Sequence, residues 1–157
     1  MIFDVDGTLV DSNDAHAAAW RDALREFDVE RSFGEVRRLI GMGGDKLLPA
    51  LTGISAESEL GQRIVERRGR LFRDAYLEGL RPFAGVRELL GRIRGDGFRL
   101  GVASSAKQDE LDRLRRIAGV NDLIDRQTSS DDVDASKPDP DALHAALAKL
   151  ACQRNHP

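Results

Sequence analysis

The chain has a single cysteine, Cys152, in 157 residues. That excludes an internal disulfide and, with no signal-peptide pattern, points to a reducing, cytoplasmic setting. Long apolar runs are also missing: the longest are strand-length, so no hydrophobic helix is expected to span a membrane. Charge of neither sign dominates, and a formal net charge of −3 gives no electrostatic reason to expect a nucleic-acid partner. Lysine is scarce, most basic residues being arginine, and no internal repeat or low-complexity tract is present. What is there is ordinary globular material, 41% hydrophobic and 32% charged, in a chain long enough to bury a core.

The start of the chain carries the strongest chemical signal. Ile2-Phe3 runs into Asp4-Val5-Asp6-Gly7-Thr8-Leu9-Val10-Asp11-Ser12, an apolar strand that ends in two carboxylates one residue apart. In an extended strand, side chains at i and i+2 share a face, so Asp4 and Asp6 project together from the strand's carboxyl end. That is where open α/β sheets bind ligands. Gly7 lets the chain turn sharply there. Two close carboxylates repel, so the pair calls for a divalent cation, and oxygen ligands with retained waters point to Mg²⁺. With the metal present, one Asp stays ionised as a nucleophile while its neighbour keeps or shuttles a proton. The plain alternative is a turn-forming Asp pair. The Gly-Thr continuation adds specificity that a turn does not require.

The rest reads as a helical insert followed by strands alternating with helices. Ser12 or Asn13 caps a helix to about Phe27, with Ala17, Trp20 and Leu24 on one face. Phe33, Val36, Leu39 and Ile40 predict a short second helix, broken by Gly41-Met42-Gly43-Gly44, and Asp45 to Leu48 starts another. Ser55 caps a long helix toward Leu80 through Ile64, Leu71 and Ala75, its first turn acidic with Glu57 and Glu59. Pro82 and Gly85 mark the return. A helix from Val86 to Gly95 or Gly97, a strand over Phe98–Ala103, a helix from Lys107 to Ala118 and a short third strand from Leu123-Ile124 and the Gln127-Thr128-Ser129 stretch follow. A last helix runs from Pro140 to Leu150. Such alternation predicts an α/β fold with a doubly wound parallel sheet.

Ser104 falls where the second predicted strand ends, so its hydroxyl and the following amides, that of Ser105 included, face the Asp pair across one sheet edge. Such donors suit phosphate oxygens, although a Ser-Ser after a strand is by itself more often a helix cap, and it is the register with the Asp pair that favours phosphate. Lys107 stays open as a second phosphate contact or a surface charge. Lys137, fixed by Pro138 with Asp139-Pro140 opening a helix, is by itself either a solvated loop lysine or, if held near the nucleophile, an ammonium that would offset charge between Asp4 and an incoming phosphate.

Three segments in this order resemble the motifs of the haloacid dehalogenase superfamily of aspartate-nucleophile phosphatases and phosphomutases. Asp4-Val5-Asp6-Gly7-Thr8-Leu9-Val10 is similar to its first motif, Val102-Ala103-Ser104-Ser105 to its second and Lys137-Pro138-Asp139-Pro140 to its third. The resemblance implies catalysis by Asp4, Asp6 and Lys137, phosphate contacts from Ser104, Ser105 and Lys107, and Mg²⁺ on Asp4 and Asp6. It implies a core of residues 1–12 and 82–157 with a mobile helical cap over residues 13–81. His16 and Trp20, spaced i and i+4, are similar to the branch that includes β-phosphoglucomutase; the plain reading makes Trp20 core and His16 an interfacial polar residue. The loop Gly41–Lys46 is where such caps contact substrate, with Asp45 or Lys46 for polar contacts, or else it is a simple connection. Sugar phosphomutases of this branch carry an Arg where Gly44 stands, which favours hydrolysis.

The family's fourth motif, an acidic cluster after a further apolar strand, is not found: beyond Leu150 the chain reads Ala151-Cys152-Gln153-Arg154-Asn155-His156-Pro157. The resemblance therefore implies an incomplete core, with the first strand's edge exposed and available for self-association. Three functions stand at this point: a Mg²⁺-dependent phosphatase of small phosphomonoesters acting through an aspartyl-phosphate, a phosphomutase, or a truncated and inactive relative.

Overall fold

The computed structural model describes residues 1–132 and 141–151. Their order is β1 (Ile2–Phe3), α1 (Asn13–Glu26), α2 (Phe33–Arg37), α3 (Gly44–Thr52), α4 (Glu59–Leu71), α5 (Val86–Gly95), β2 (Gly101–Ala103), α6 (Gln108–Ala118), β3 (Arg126–Thr128) and α7 (Asp141–Ala151). A π-helical turn, Phe72–Tyr76, and a 3-10 turn, Leu77–Gly79, follow α4. The chain divides into two compact units, one of Met1–Asp11 with the described residues from Arg81 onward, the other Ser12–Leu80. No helix among the described residues is long and apolar enough to cross a membrane.

The first unit is an α/β structure on a parallel sheet of order β1-β2-β3. Ile2 and Phe3 register with Gly101 and Val102, and Gly101, Val102 and Ala103 with Arg126, Gln127 and Thr128. Parallel neighbours require helical crossovers, and α5 and α6 supply them. β2 is buried along its whole length, as a strand inside a parallel sheet must be. The strand is shorter than its apolar pattern predicts, because Phe98 lies 54% exposed outside it. α7 packs along all three strands. Its Leu150 sits against the space that a side chain on Gly101 would need, with Cδ1 3.0 Å from a Cβ placed there. Among the described residues β1 has no strand on its other side.

Arg87 of α5 forks onto the Asp122 carboxylate at 2.7 and 2.8 Å and also reaches the Gly119 carbonyl. The hydrogen bond from Arg87, seconded by a backbone N–H, brings the Asp122 carboxyl down to about 2. A carboxylate depressed on folding stabilises fully above its ordinary pKa of about 3.9 and loses that contribution as the pH falls toward its folded value. Asp122→Asn should therefore flatten the fall of the urea-unfolding midpoint between about pH 4 and pH 2. The same slope in both proteins would remove this pair from the acid response.

The second unit is entirely helical. Its core is Ala17, Trp20, Leu24, Val36, Leu47, Leu48 and Ile64, drawn from one stripe of each helix. α1 packs on α2 and α4. α2 opens with a capping box absent from the sequence reading: Ser32 Oγ accepts from Glu35 N–H, and the Ser32 N–H donates to Glu35 Oε2. Two expectations need correction. Ser12 occupies the N-cap of α1 but its side chain makes no capping bond. The cap of α4 is Ser58, not Ser55: Ser58 Oγ accepts from Gly61 N–H at 3.0 Å and donates to the Ser55 carbonyl at 2.6 Å. The predicted continuous helix to Leu80 widens into the π turn after Leu71, and Ala75 is exposed.

Candidate active site

Val5 is fully buried while Asp4 and Asp6 on either side are partly exposed, so the alternation of a strand continues past the end of β1. The two carboxylates lie beyond the strand's last paired residue, in the turn that follows it. Val5 carries that turn: its carbonyl accepts from Leu9 N–H at 2.9 Å and Val10 N–H at 3.0 Å, while Gly7 N–H returns a bond to the Val10 carbonyl at 2.9 Å. This closure needs Gly7 at φ 70°, a left-handed conformation that costs glycine nothing. The Val5 N–H donates to Asp4 Oδ1 at 2.9 Å, which fixes that carboxylate against its own backbone. Asp11 N–H donates to the Arg81 carbonyl at 2.9 Å and Phe83 N–H to Leu9 at 3.2 Å, so the outgoing and returning segments of the first unit are tied together.

At the neighbouring strand end stands Ser104, fully buried. Its N–H continues the sheet by donating to the Thr128 carbonyl at 3.0 Å. Its hydroxyl accepts from Ala106 N–H at 3.0 Å and donates to Asp6 Oδ2 at 3.4 Å, across 98 residues of sequence. Ser105 Oγ is buried beside it and has no hydrogen-bond partner among the described residues. Lys107 is exposed and supplies the N-cap position of α6 without a side-chain capping bond. Lys137 lies outside the described residues.

The polar run after β3 ties the loops of this edge to one another. Asp131 Oδ2 accepts from Gln108 N–H at the start of α6 at 2.9 Å, and Asp132 accepts from Ser129 N–H at 2.8 Å. Lys149 of α7 pairs with Asp132 at 2.7 Å, and this bond leads the effects that hold the Asp132 carboxyl below its ordinary range. These acids are committed to neighbours, and among the described residues no group of three His, Cys, Asp or Glu side chains is placed to hold a metal. Asp4 and Asp6 do offer hard oxygen donors on one turn, the donor chemistry that Mg²⁺ accepts when waters and substrate phosphate complete its shell.

In the helical unit, His16 is 5% exposed, stacked on Phe72 with ring centroids 4.0 Å apart. Arg68 Nη2 donates to His16 Nδ1 at 2.9 Å, so the Nε2 tautomer is the neutral form this contact selects. The Arg68 guanidinium also lies 5.5 Å from the Trp20 and Phe72 ring centres. The sequence reading missed Arg68. The available signal was its place on the Ile64-Arg68-Phe72 stripe, an i, i+4, i+8 series that otherwise faces the core. Gly44 opens α3, and a Cβ there would meet Trp20 Cζ2 at 3.2 Å, which leaves little room for a side chain. Asp45 is exposed and Lys46 half-buried in the same first turn.

Residues 1–156 match the haloacid dehalogenase-like hydrolase family. The chain belongs to that family. It is 32% identical over 159 residues to a phosphoglycolate phosphatase of Nitrosospira multiformis, across 98% of this chain and 70% of the relative. It is 25% identical over 154 residues to the pyrophosphatase PpaX of Bacillus velezensis, across 97% of this chain and 68% of that protein. A hydrolase of Pseudomonas syringae superposes with a TM-score of 0.87 at 29% identity, over 96% of this chain and 69% of its own. The chain thus stands among hydrolases of phosphate esters and spans about two thirds of the length of these relatives.

Proposed function

We propose that the chain is the Mg²⁺-dependent phosphatase part of such a hydrolase, acting on small phosphomonoesters, with Asp4 as nucleophile and Asp6 as general acid and base. The observation that carries this reading is the approach of Ser104 Oγ to Asp6 Oδ2 at 3.4 Å, on adjoining parallel strand ends. A phosphate held by the Ser104 hydroxyl and the amides after it would present phosphorus to Asp4. Asp4 then forms a bond to phosphorus as the ester P–O bond breaks, and Asp6 gives its proton to the departing alkoxide. In the second step Asp6, now a carboxylate, takes a proton from water as the water oxygen attacks phosphorus. Phosphate leaves and the Asp4 carboxylate is restored. Lys137 is proposed to offset charge between Asp4 and the phosphate. Mg²⁺, held by the Asp4 carboxylate and the main-chain carbonyl of Asp6, would supply charge neutralisation at the phosphate oxygens. The helical unit is proposed to read the leaving group, with Lys46 and Asp45 of α3 and His16 of α1 as its polar side chains.

Release of inorganic phosphate from a panel of phosphoglycolate, hexose phosphates and pyrophosphate tests this directly. Release should require Mg²⁺, stop with EDTA and return when Mg²⁺ is restored. No release from any of them with Mg²⁺ present would refute the proposal. Ser104→Ala should lower kcat/KM by roughly 10- to 100-fold, the loss of one hydrogen bond to a charged oxygen. An unchanged kcat/KM would remove Ser104 from the phosphate site.

A further inference from the structure

The flank of the first unit holds a cleft of about 420 Å³ lined by Arg115, Ile124, Asp125, Arg126, Gln127 and Lys149. β3 runs from Arg126 toward Thr128, and Thr128 is the end that meets Ser104, so Arg126 marks the opposite end of the strand from the Asp4–Asp6 edge. Three of the lining residues are cations and one is an acid. The acid is already engaged: Asp125 Oδ2 accepts from Leu100 N–H at 2.8 Å, and Oδ1 pairs with Arg94 at 3.1 Å.

Among the described residues the Arg115 and Arg126 guanidinium groups donate to neutral acceptors. Arg115 donates to the Gln127 side-chain oxygen and to the Asn121 carbonyl, the latter at 3.3 Å. Its Nε is buried with no hydrogen-bond partner among the described residues. Arg126 donates to the Asp125 carbonyl at 2.8 Å. Lys149 reaches in from α7 to the Gln127 carbonyl at 3.1 Å while its ammonium also pairs with Asp132 at 2.7 Å, so an anion here would share it with that carboxylate. Gln127 is itself clamped, because its Nε2 donates to Asp112 Oδ1 at 2.9 Å. That bond turns the amide oxygen toward Arg115 and holds the guanidinium in place.

An arginine in the last turn of a surface helix has open water available and no need to bury a donor. A buried N–H left without an acceptor bears its full desolvation cost. Charges that merely guard an edge strand against pairing work in water and carry no such cost. Two guanidinium forks and an ammonium converging on one cleft suit an anion with several oxygens and more than one charge. We propose that this cleft is a second anion site, separate from the Asp4–Asp6 edge, that binds a phosphate group through Arg115, Arg126 and Lys149.

The test is a titration of the chain with inorganic phosphate, following backbone amides and arginine Nε–Hε signals in ¹H–¹⁵N spectra. Asp4→Asn protein, run in parallel, separates this site from the catalytic edge. The expected result is a saturable shift of the Arg115 Nε–Hε signal, the Gln127 side-chain amide and the Arg126 amide, in wild type and Asp4→Asn alike. Arg126→Gln and Lys149→Gln should each weaken that binding by about tenfold, the loss of one charge-assisted bond. Arg115→Gln should abolish it, and the two peripheral variants decide the question should Arg115→Gln fail to fold. Shifts that never saturate, or saturation at the same concentration in wild type and both peripheral variants, would overturn the proposal.

Discussion

Asp4→Asn should abolish Mg²⁺-dependent phosphate release, by roughly 10³-fold or more, while leaving the unfolding temperature unchanged. The two halves of that expectation come from different atoms. An amide oxygen still accepts the Val5 N–H that now binds Asp4 Oδ1 at 2.9 Å, so the turn keeps its geometry. What disappears is the anion that attacks phosphorus. Asp6→Asn gives the informative contrast. Its Oδ2 accepts from Ser104, a bond that an amide oxygen can also take, so phosphate binding should survive better than turnover. Steady-state kinetics beside phosphate affinity separate the two. Asp4→Asn activity within roughly tenfold of wild type would sink the nucleophile assignment, and equal loss of binding and turnover in Asp6→Asn would sink the division of roles.

The Asp4–Asp6 turn was legible because its requirements are local. The fully buried Val5, a glycine at φ 70° and two acids on either side of the apolar residue can all be read from neighbours in sequence. Strand lengths were less legible. β1 is confined to Ile2 and Phe3 because only those residues find register partners on β2, a fact of pairing across about a hundred residues. The end of α4 failed for a similar reason. Phe72 stacks on His16 and the Tyr76 hydroxyl donates to Asp22 Oδ2 at 2.7 Å, and the π turn carries both residues. Both partners lie on α1, far from the turn in sequence, so no helical periodicity could announce the change. Arg68 was overlooked because an arginine in an amphipathic pattern reads as a solvated charge. Its contacts with His16, Trp20 and Phe72 belong to the tertiary structure.

The choice between Ser55 and Ser58 as the cap of α4 turned on a glycine, and substituting it should have the largest effect on stability. In Gly61→Ala, the new Cβ would lie 2.9 Å from Ala56 Cα and from the Ser55 carbonyl carbon, and closer still to the Ser55 oxygen. These are backbone atoms, which cannot swing aside as a side chain does. The Ser55 carbonyl is also pinned, accepting from Ser58 N–H at 3.2 Å and from Ser58 Oγ at 2.6 Å, and that same hydroxyl caps α4 through Gly61 N–H. Relieving the clash by moving the loop therefore loosens the cap as well. Alanine's better helix propensity returns only about 1 kcal/mol, against roughly 1–3 kcal/mol for overpacking and about 1 kcal/mol for a weakened cap. The net expectation is a loss of about 2–3 kcal/mol, at the upper end because the obstruction is backbone. Gly91→Ala in α5 is the matched control: nothing lies within 4 Å of the Cβ it would add, so it should stabilise by roughly 0.5–1 kcal/mol. Urea unfolding followed by circular dichroism, with amide exchange across α4, measures both. A Gly61→Ala midpoint equal to or above that of wild type would show that the Ser55–Ser58 turn yields to a methyl group, and the account of how α4 begins would fall with it.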